Sequence, residues 1–381
     1  MIAMASTDTT ARQSATRSDG GTPPSLSRPA GLPADIHLRP YAGPADHPGM
    51  VAAGNDWRLA MGYIELVTLE ALAVQYANMA ACDPFTDCFV AERDGSIAGY
   101  ARVEWSDSRD GDRTYGTILI VPPCDAREAI VDALFDLVET RALRIAATQV
   151  TDRPRVLDAF APGADAVLAA AASTRGYVAV RHGYEMVRPD LDAIPRVAVP
   201  AGLEIRPVRP EHLRAIWEAD VEAFRDHWGA SDDSEAAWER FRLDPLADPS
   251  LWRVAWDGDA VAGQVRSFID AEVNARTGRL TGWTESISVR RPWRRRGLAR
   301  ALLADSLRAV RDRGMREAAL NVDAGNETGA LALYESLGFV VHRTETILQR
   351  PMPEPVSESA QAPMPAPETP RGPSGPPADP R

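Results

Sequence analysis

The sequence predicts an α/β (α+β) chain in two similar halves, each a mixed sheet flanked by helices, on three observations. Landmarks recur at a nearly constant offset. Leu38-Arg39-Pro40 returns as Ile205-Arg206-Pro207, 167 positions on, and the hairpin Val90–Gly99 returns as Val254–Gly263, 163 to 164 on. Arg175-Gly176-Tyr177 aligns with Leu337-Gly338-Phe339 at an offset of 162. Shared order and spacing point to duplication of a unit of about 150 residues. Strand-like and helix-like patterns then alternate through each half, as a layered sheet-and-helix fold requires. Finally, 381 residues exceed one ordinary core and suit two domains with tails.

The boundaries follow from composition. Residues 1–33 are rich in Ser, Thr, Pro, Gly and Ala, and 351–381 hold eleven prolines in 31 residues. Both are expected to be disordered, having too few large apolar groups to offset chain ordering. The halves are expected at 36–190 and 203–350, joined by a proline-spotted linker at 191–202.

In the second half the pattern predicts a strand at 203–208, helices at about 210–226 and 234–242, and hairpin strands at 251–256 and 260–270. The hairpin turns on Asp257-Gly258, a strong hairpin signal between alternating apolar runs. A strand at 279–289, a helix at 294–313, a strand at 316–322, a helix at 327–337 and a strand at 339–349 complete it. The helix after Arg294 spaces Leu298, Leu302, Leu307 and Val310 along one face, and Gly314 supplies its stop.

Composition excludes several classes. The net charge is -12, with 54 acidic and 42 basic residues, which argues against general nucleic-acid binding. No apolar run approaches a membrane span. All basic residues are arginine, so no lysine is available as a nucleophile. Cys82, Cys88 and Cys124 lack metal-ligand spacing, no metal is expected, and a reduced, cytoplasmic setting is the simple reading.

Against this acidic background, Val289-Arg-Arg-Pro-Trp-Arg-Arg-Arg-Gly297-Leu-Ala299 leads on to Arg300, and residues 290–300 hold six arginines. A strand passing through a glycine-bearing turn into a helix directs unpaired N–H groups at one spot. Arginines beside it add charge-assisted donors. The turn suits a diphosphate.

Arg294-x-x-Gly297-x-Ala299, with Asn326, Ala330, Leu333-Tyr334-Glu335 and Gly338-Phe339 downstream, resembles the paired motifs of the GCN5-related N-acetyltransferases over most of residues 203–350. The resemblance implies tandem domains of that fold with a mostly antiparallel central sheet. It also implies transfer of an acetyl group from acetyl-CoA, as cosubstrate, to a primary amine in a ternary complex. Backbone groups of Arg295, Arg296, Gly297, Leu298 and Ala299 would hold the pyrophosphate, aided by Arg294. Ile287, Ser288 and Val289 would lie along the pantetheine arm, with the Val289 N–H polarising the thioester carbonyl. Asn326 would bond the cofactor arm, and Tyr334 would protonate the leaving thiolate.

For the base, strict alternation would place Glu285, Ile287 and Val289 on one strand face, so that Glu285 can take the amine proton or merely orient the amine. Glu222 and His227 fall where the acceptor pocket forms in this family, and Trp283 either walls that pocket or packs in the core. The first half reads Val121-Pro-Pro-Cys124-Asp125-Ala-Arg-Glu128 at the matching turn, with no glycine between Gly116 and Gly163. It is read as a degenerate copy without cofactor binding. Mycothiol synthase, which acetylates the cysteinyl amine of a pseudodisaccharide thiol, is a tandem member with one active lobe and a similar arrangement. This chain departs from it at Gly282-Trp283-Thr284-Glu285, where that enzyme has His-Trp-Thr-Lys. A non-catalytic acyl-CoA-binding regulator and a protein acetyltransferase recruited by the proline-rich tail stay open as alternatives, and the oligomeric state is read as monomer or homodimer.

Overall fold

The computed structural model describes residues 26, 28–108, 111–225, 233–325 and 329–352. Among them, twelve strands join one sheet. The first six are β1 (Ile36–Pro40), β2 (Cys88–Arg93), β3 (Ser96–Asp107), β4 (Arg113–Ile120), β5 (Arg155–Pro162) and β6 (Val178–Arg188). The second six are β7 (Glu204–Arg206), β8 (Arg253–Asp257), β9 (Ala260–Phe268), β10 (Thr281–Val289), β11 (Glu317–Asp323) and β12 (Val340–Pro351). Their order is β1-β2-β3-β4-β5-β12-β6-β11-β10-β9-β8-β7. Only β4–β5 and β10–β11 run parallel.

The order is a palindrome about the β12–β6 seam, with each half giving its last strand to the other. β6 pairs with β11 and β12 with β5. The cores follow the exchange. Met186 of β6 is buried with Leu320 and Phe339 of the second half, while Met352 sits with Leu157 of the first. The stretch between β6 and β7 is also built in. Leu191 is buried in the second core, and the Pro195 carbonyl accepts from Arg308 at 3.0 Å.

Each half lays one long helix on the same relative face of its sheet. Helix Arg127–Thr148 buries Ile130, Leu134 and Phe135 against Tyr115 and Leu157. Helix Leu298–Asp312 buries Leu302, Leu303 and Leu307 against Ala255, Val265 and Leu320. Each fully buried leucine contributes roughly 1.5–3 kcal/mol relative to exposure. Helices His47–Ala60 and Leu213–Phe224 pack on the opposite face.

Three local expectations are corrected. Helix Leu298–Asp312 begins four residues late, because Arg295 and Gly297 adopt left-handed conformations (φ 60° and 83°) and hold the chain in a turn. An unexpected helix, Ala271–Thr277, starts where the Asp270 side chain accepts from the Val273 amide at 2.8 Å and stops at left-handed Gly278. In the stretch expected to be disordered at the N-terminus, Leu32 is instead buried in the first core, and Leu26 N–H bonds the Leu38 carbonyl at 2.9 Å.

Candidate active site

Antiparallel alternation breaks in the middle of β10. Glu285 lies opposite Arg266 and Ser288 opposite Gln264, so three residues of β10 span two of β9. Ser286 absorbs the extra residue with φ 46°, a strain of about 1–2 kcal/mol for a non-glycine residue. A polar clamp holds the bulge. Asp220, on helix Leu213–Phe224, accepts from Arg266 at 2.9 Å and from the Ser288 hydroxyl at 2.8 Å, while Arg266 also donates to Ser286.

The bulge corrects the expected faces of the strand. Glu285 shares its side with Trp283, Arg266 and Ser288, whereas Ile287 and Val289 turn to the other side and pack with the core around Leu298. The one-face expectation fails because a bulge reverses alternation beyond it. Trp283 is buried, stacked on Phe268 and packed with Ile64 from the first half.

The same bulge sets the backbone. Arg290 N–H donates to the Ala262 carbonyl at 3.0 Å. Alternation then directs the Val289 N–H away from β9, towards the side where β11 should lie. But β10 pairs with β11 only over Thr281–Trp283, so the strands have parted there. Gly263 makes the closeness of β9 possible, since a Cβ would lie 2.8 Å from the Ser288 carbonyl oxygen.

Beyond Val289, Arg294 turns back and donates to the carbonyls of Val289 at 2.8 Å and Ala223 at 3.1 Å. Gly297 caps the helix at φ 83°, with no side chain bonded to the first-turn amides. The first helical bond of the turn runs from Ala301 N–H to the Gly297 carbonyl, so the amides of Leu298 and Ala299 belong to the unpaired first turn. Nothing lies within 4 Å of where a Gly297 Cβ would project, so glycine is required there for conformation, not space. Arg295, Arg296 and Gly297 are exposed. Arg296 bonds the Ala201 carbonyl and Arg300 the Ser336 hydroxyl. Arg290 pairs with Glu222 at 2.7 Å, so this acceptor-pocket candidate is engaged as a partner of the loop. His227 and Asn326 lie outside the described residues.

Glu285 lies near the end of the paired stretch of β10 and β11, and Tyr334 is buried in the second core, near enough for the carboxylate charge to act on its hydroxyl. Burial pushes the Glu285 carboxyl up to about 7, and the Glu65 charge adds to it. A hydrogen bond from Asn321 Nδ2 to Glu285 Oε1, at 3.1 Å, opposes that rise. Tyr334 is buried edge-on against Phe339. Burial, then the Glu285 charge, holds its hydroxyl far above the ordinary tyrosine range, so it keeps its proton. Sequence reasoning missed Asn321, Asp220 and Glu65. Asn321 alternates out of an apolar β11 run and was open to notice; the other two act across long separations.

Comparison with known proteins agrees with this geometry. The description of the acetyltransferase (GNAT) family matches residues 213–339. Mycothiol acetyltransferase of Salinispora arenicola is 33% identical over 66% of this chain and 76% of its own. That of Thermomonospora curvata is 32% identical over 68% and 81%. A GCN5-related N-acetyltransferase from Sphaerobacter thermophilus superposes with a TM-score of 0.63 at 25% identity, covering 84% of this chain and 96% of its own. A tandem GNAT protein from the clavulanic acid biosynthesis pathway shares the fold, with a TM-score of 0.60 at 17% identity over 83% and 98%. The parted strands, the capless helix start and these relatives lead to one conclusion: the chain belongs to the GNAT acetyltransferase family.

Proposed function

We propose that the second half transfers acetyl from acetyl-CoA to a primary amine of a small molecule, with Glu285 as general base and Tyr334 as general acid. Acetyl-CoA supplies an activated thioester. The residues fit a doubly charged phosphate arm: the helix start after Gly297 has no side-chain cap, and the exposed Arg295 and Arg296 lie beside it. The Val289 N–H, turned into the gap, is the donor for the thioester carbonyl, and Ile287 and Ser288 flank the path of the cofactor arm. Arg294 organises the turn by holding the Val289 carbonyl.

In the reaction, an ammonium gives a proton to the Glu285 carboxylate, and the neutral nitrogen forms the new N–C bond. As the C–S bond breaks, Tyr334 passes its proton to the departing sulfur, and the proton then shed by the acylated nitrogen restores the tyrosine through solvent, leaving a neutral amide, free thiol and a protonated Glu285 that releases its proton to water. What supports the reading is the parting of β10 from β11 beyond Trp283 beside Glu285, whose carboxyl burial pushes up to about 7, together with a buried Tyr334 that keeps its proton. A base must be ionised, so turnover should rise with pH through about 7.

The first half supports the second as a copy without its own cofactor site. Its Asp125, at the matching helix start, pairs with Arg93 at 2.5 Å. The adjoining cavity, of about 680 Å³, is lined by Asp125, Glu128, Asp132 and Asp136 with Arg127, and the arginines nearby are taken up by these acids, Arg93 by Asp125 and Arg175 by Asp132 and Asp136. The relatives named mycothiol acetyltransferase favour a mycothiol-type acceptor as the specific case. Release of free thiol from acetyl-CoA over an amine panel tests the reading. Turnover with a small amine supports it, whereas tight binding of CoA with turnover on none of the amines would sink it.

A further inference from the structure

We propose that Cys82 and Cys88 form a reversible dithiol–disulfide site in the first half, oxidised by hydrogen peroxide and reduced again by thiols. The site lies in the buried cluster of Tyr41, Tyr76 and Tyr100 and does not depend on acetyl transfer in the second half.

The chain brings the two sulfurs together locally. Helix Pro84–Asp87 is a single turn between them, and bonds at its base close it. The Asp83 N–H donates to Asp87 Oδ2 at 2.7 Å, and the Asp87 N–H donates to the Asp83 carbonyl at 2.8 Å. The cysteines that flank this closed turn are both buried and both free, with their Sγ atoms 3.9 Å apart. Side-chain rotation brings such a pair to the bonded separation of about 2 Å, and closing so short a loop costs little chain entropy.

Small buried thiols are ordinarily inert core. What sets this pair apart is Arg102. It lies directly opposite Cys88 in the β2–β3 register, so the two side chains leave the same face of the sheet as neighbours. The Arg102 side chain is 8% exposed, and its Nε has no hydrogen-bond partner. Among the described residues its ion pair is with Glu104 at 3.8 Å, too long for a hydrogen bond. Its guanidinium otherwise lies over the Tyr76 ring, 5.6 Å from the centroid. Asp87, next to Cys88 in sequence, is taken up by Arg141 at 2.6 Å. A buried cation so weakly countered stabilises a thiolate that forms beside it. The Cys82 thiol is held well above the ordinary thiol range, first by its hydrogen bond to Cys88 and then by burial. Cys88 is therefore the attacking sulfur and Cys82 the resolving one.

The Cys88 thiolate attacks one peroxide oxygen. The S–O bond forms, the O–O bond breaks, and hydroxide leaves, taking up the Cys88 proton as water. Cys82 then attacks the sulfenic sulfur; the S–S bond forms, the S–O bond breaks, and the second hydroxide leaves as water with the Cys82 proton. Two thiols and one hydrogen peroxide give one disulfide and two waters, the two electrons coming from the sulfurs. The new bond ties β2 to the turn after helix Leu69–Ala77.

The test treats the folded full chain with hydrogen peroxide, unfolds it with N-ethylmaleimide present, and cuts it with trypsin. Peptide 59–93 carries both cysteines and no internal basic residue, so it is released whole, while Cys124 reports separately as an exposed thiol. The expected product is this peptide unlabelled and lighter by two hydrogens, and doubly labelled again after dithiothreitol. Arg102→Leu should slow its appearance about tenfold, and Arg102→Lys, which keeps a charge there, should stay within about threefold of wild type. The proposal is overturned if the peptide keeps both labels while Cys124 oxidises, or if the disulfide forms only when peroxide is added in denaturant. An unchanged rate in Arg102→Leu overturns it as well; should that variant fail to fold, a loss of about tenfold in Arg102→Lys does so in its place.

Discussion

The turns after β4 and β10 occupy matching places in the two halves, and most of their surroundings match. Both halves have a bulge at the same point of the first hairpin, at Ala91 and Ala255. In both, an arginine returns to a carbonyl at the strand end: Arg127 to Val121, just past β4, at 2.9 Å, and Arg294 to Val289, the last residue of β10, at 2.8 Å. The differences are confined to what an anion needs. β4 keeps regular register with β3 and stays paired with β5 over five residues, whereas β10 bulges and keeps β11 for only three. The first turn has no left-handed glycine and carries Asp125 at the helix start, where a negative charge disfavours a bound phosphate. The two turns thus differ by a few backbone departures within a frame that both halves share.

The comparison can be broken most severely at Glu285. Glu285→Gln should lower kcat by roughly 10²–10⁴ and abolish the acid limb; a retained limb in the pH–rate profile would remove the base role. Tyr334→Phe comes next, with kcat down about 10² at nearly unchanged acetyl-CoA affinity. Steady-state kinetics with varied cosubstrate separates the two parameters. Gly297→Val forces a β-branched residue into φ 83°, costing about 1–2 kcal/mol, and should weaken CoA binding about tenfold. Asn321→Ala removes the bond that favours the charged carboxylate and should move the acid limb upward by about one pH unit. At the small end, Asp125→Asn in the first half should leave turnover and CoA affinity unchanged, which kinetics and a binding titration will show.

Much of this frame was legible from the sequence, because its signals are local. Asp-Gly turns marked both hairpins, leucine spacing marked helix Leu298–Asp312, and the arginine row with Gly297 marked the turn. The bulge was not legible, since Ser286 has no glycine-like signature and is held by Arg266, itself fixed by the sequence-distant Asp220. The strand exchange was equally silent. β6 and β12 alternate as any edge strand would, and only pairing between distant segments decides their neighbours.

Because each half completes the other's sheet, the decisive measurement uses the whole chain: a calorimetric titration with CoA, repeated on Gly297→Val. One molecule bound per chain, with affinity falling about tenfold in the variant, is the expected result. Two molecules per chain, or one whose affinity ignores the Gly297 substitution, would contradict the assignment of the cofactor to the turn after β10.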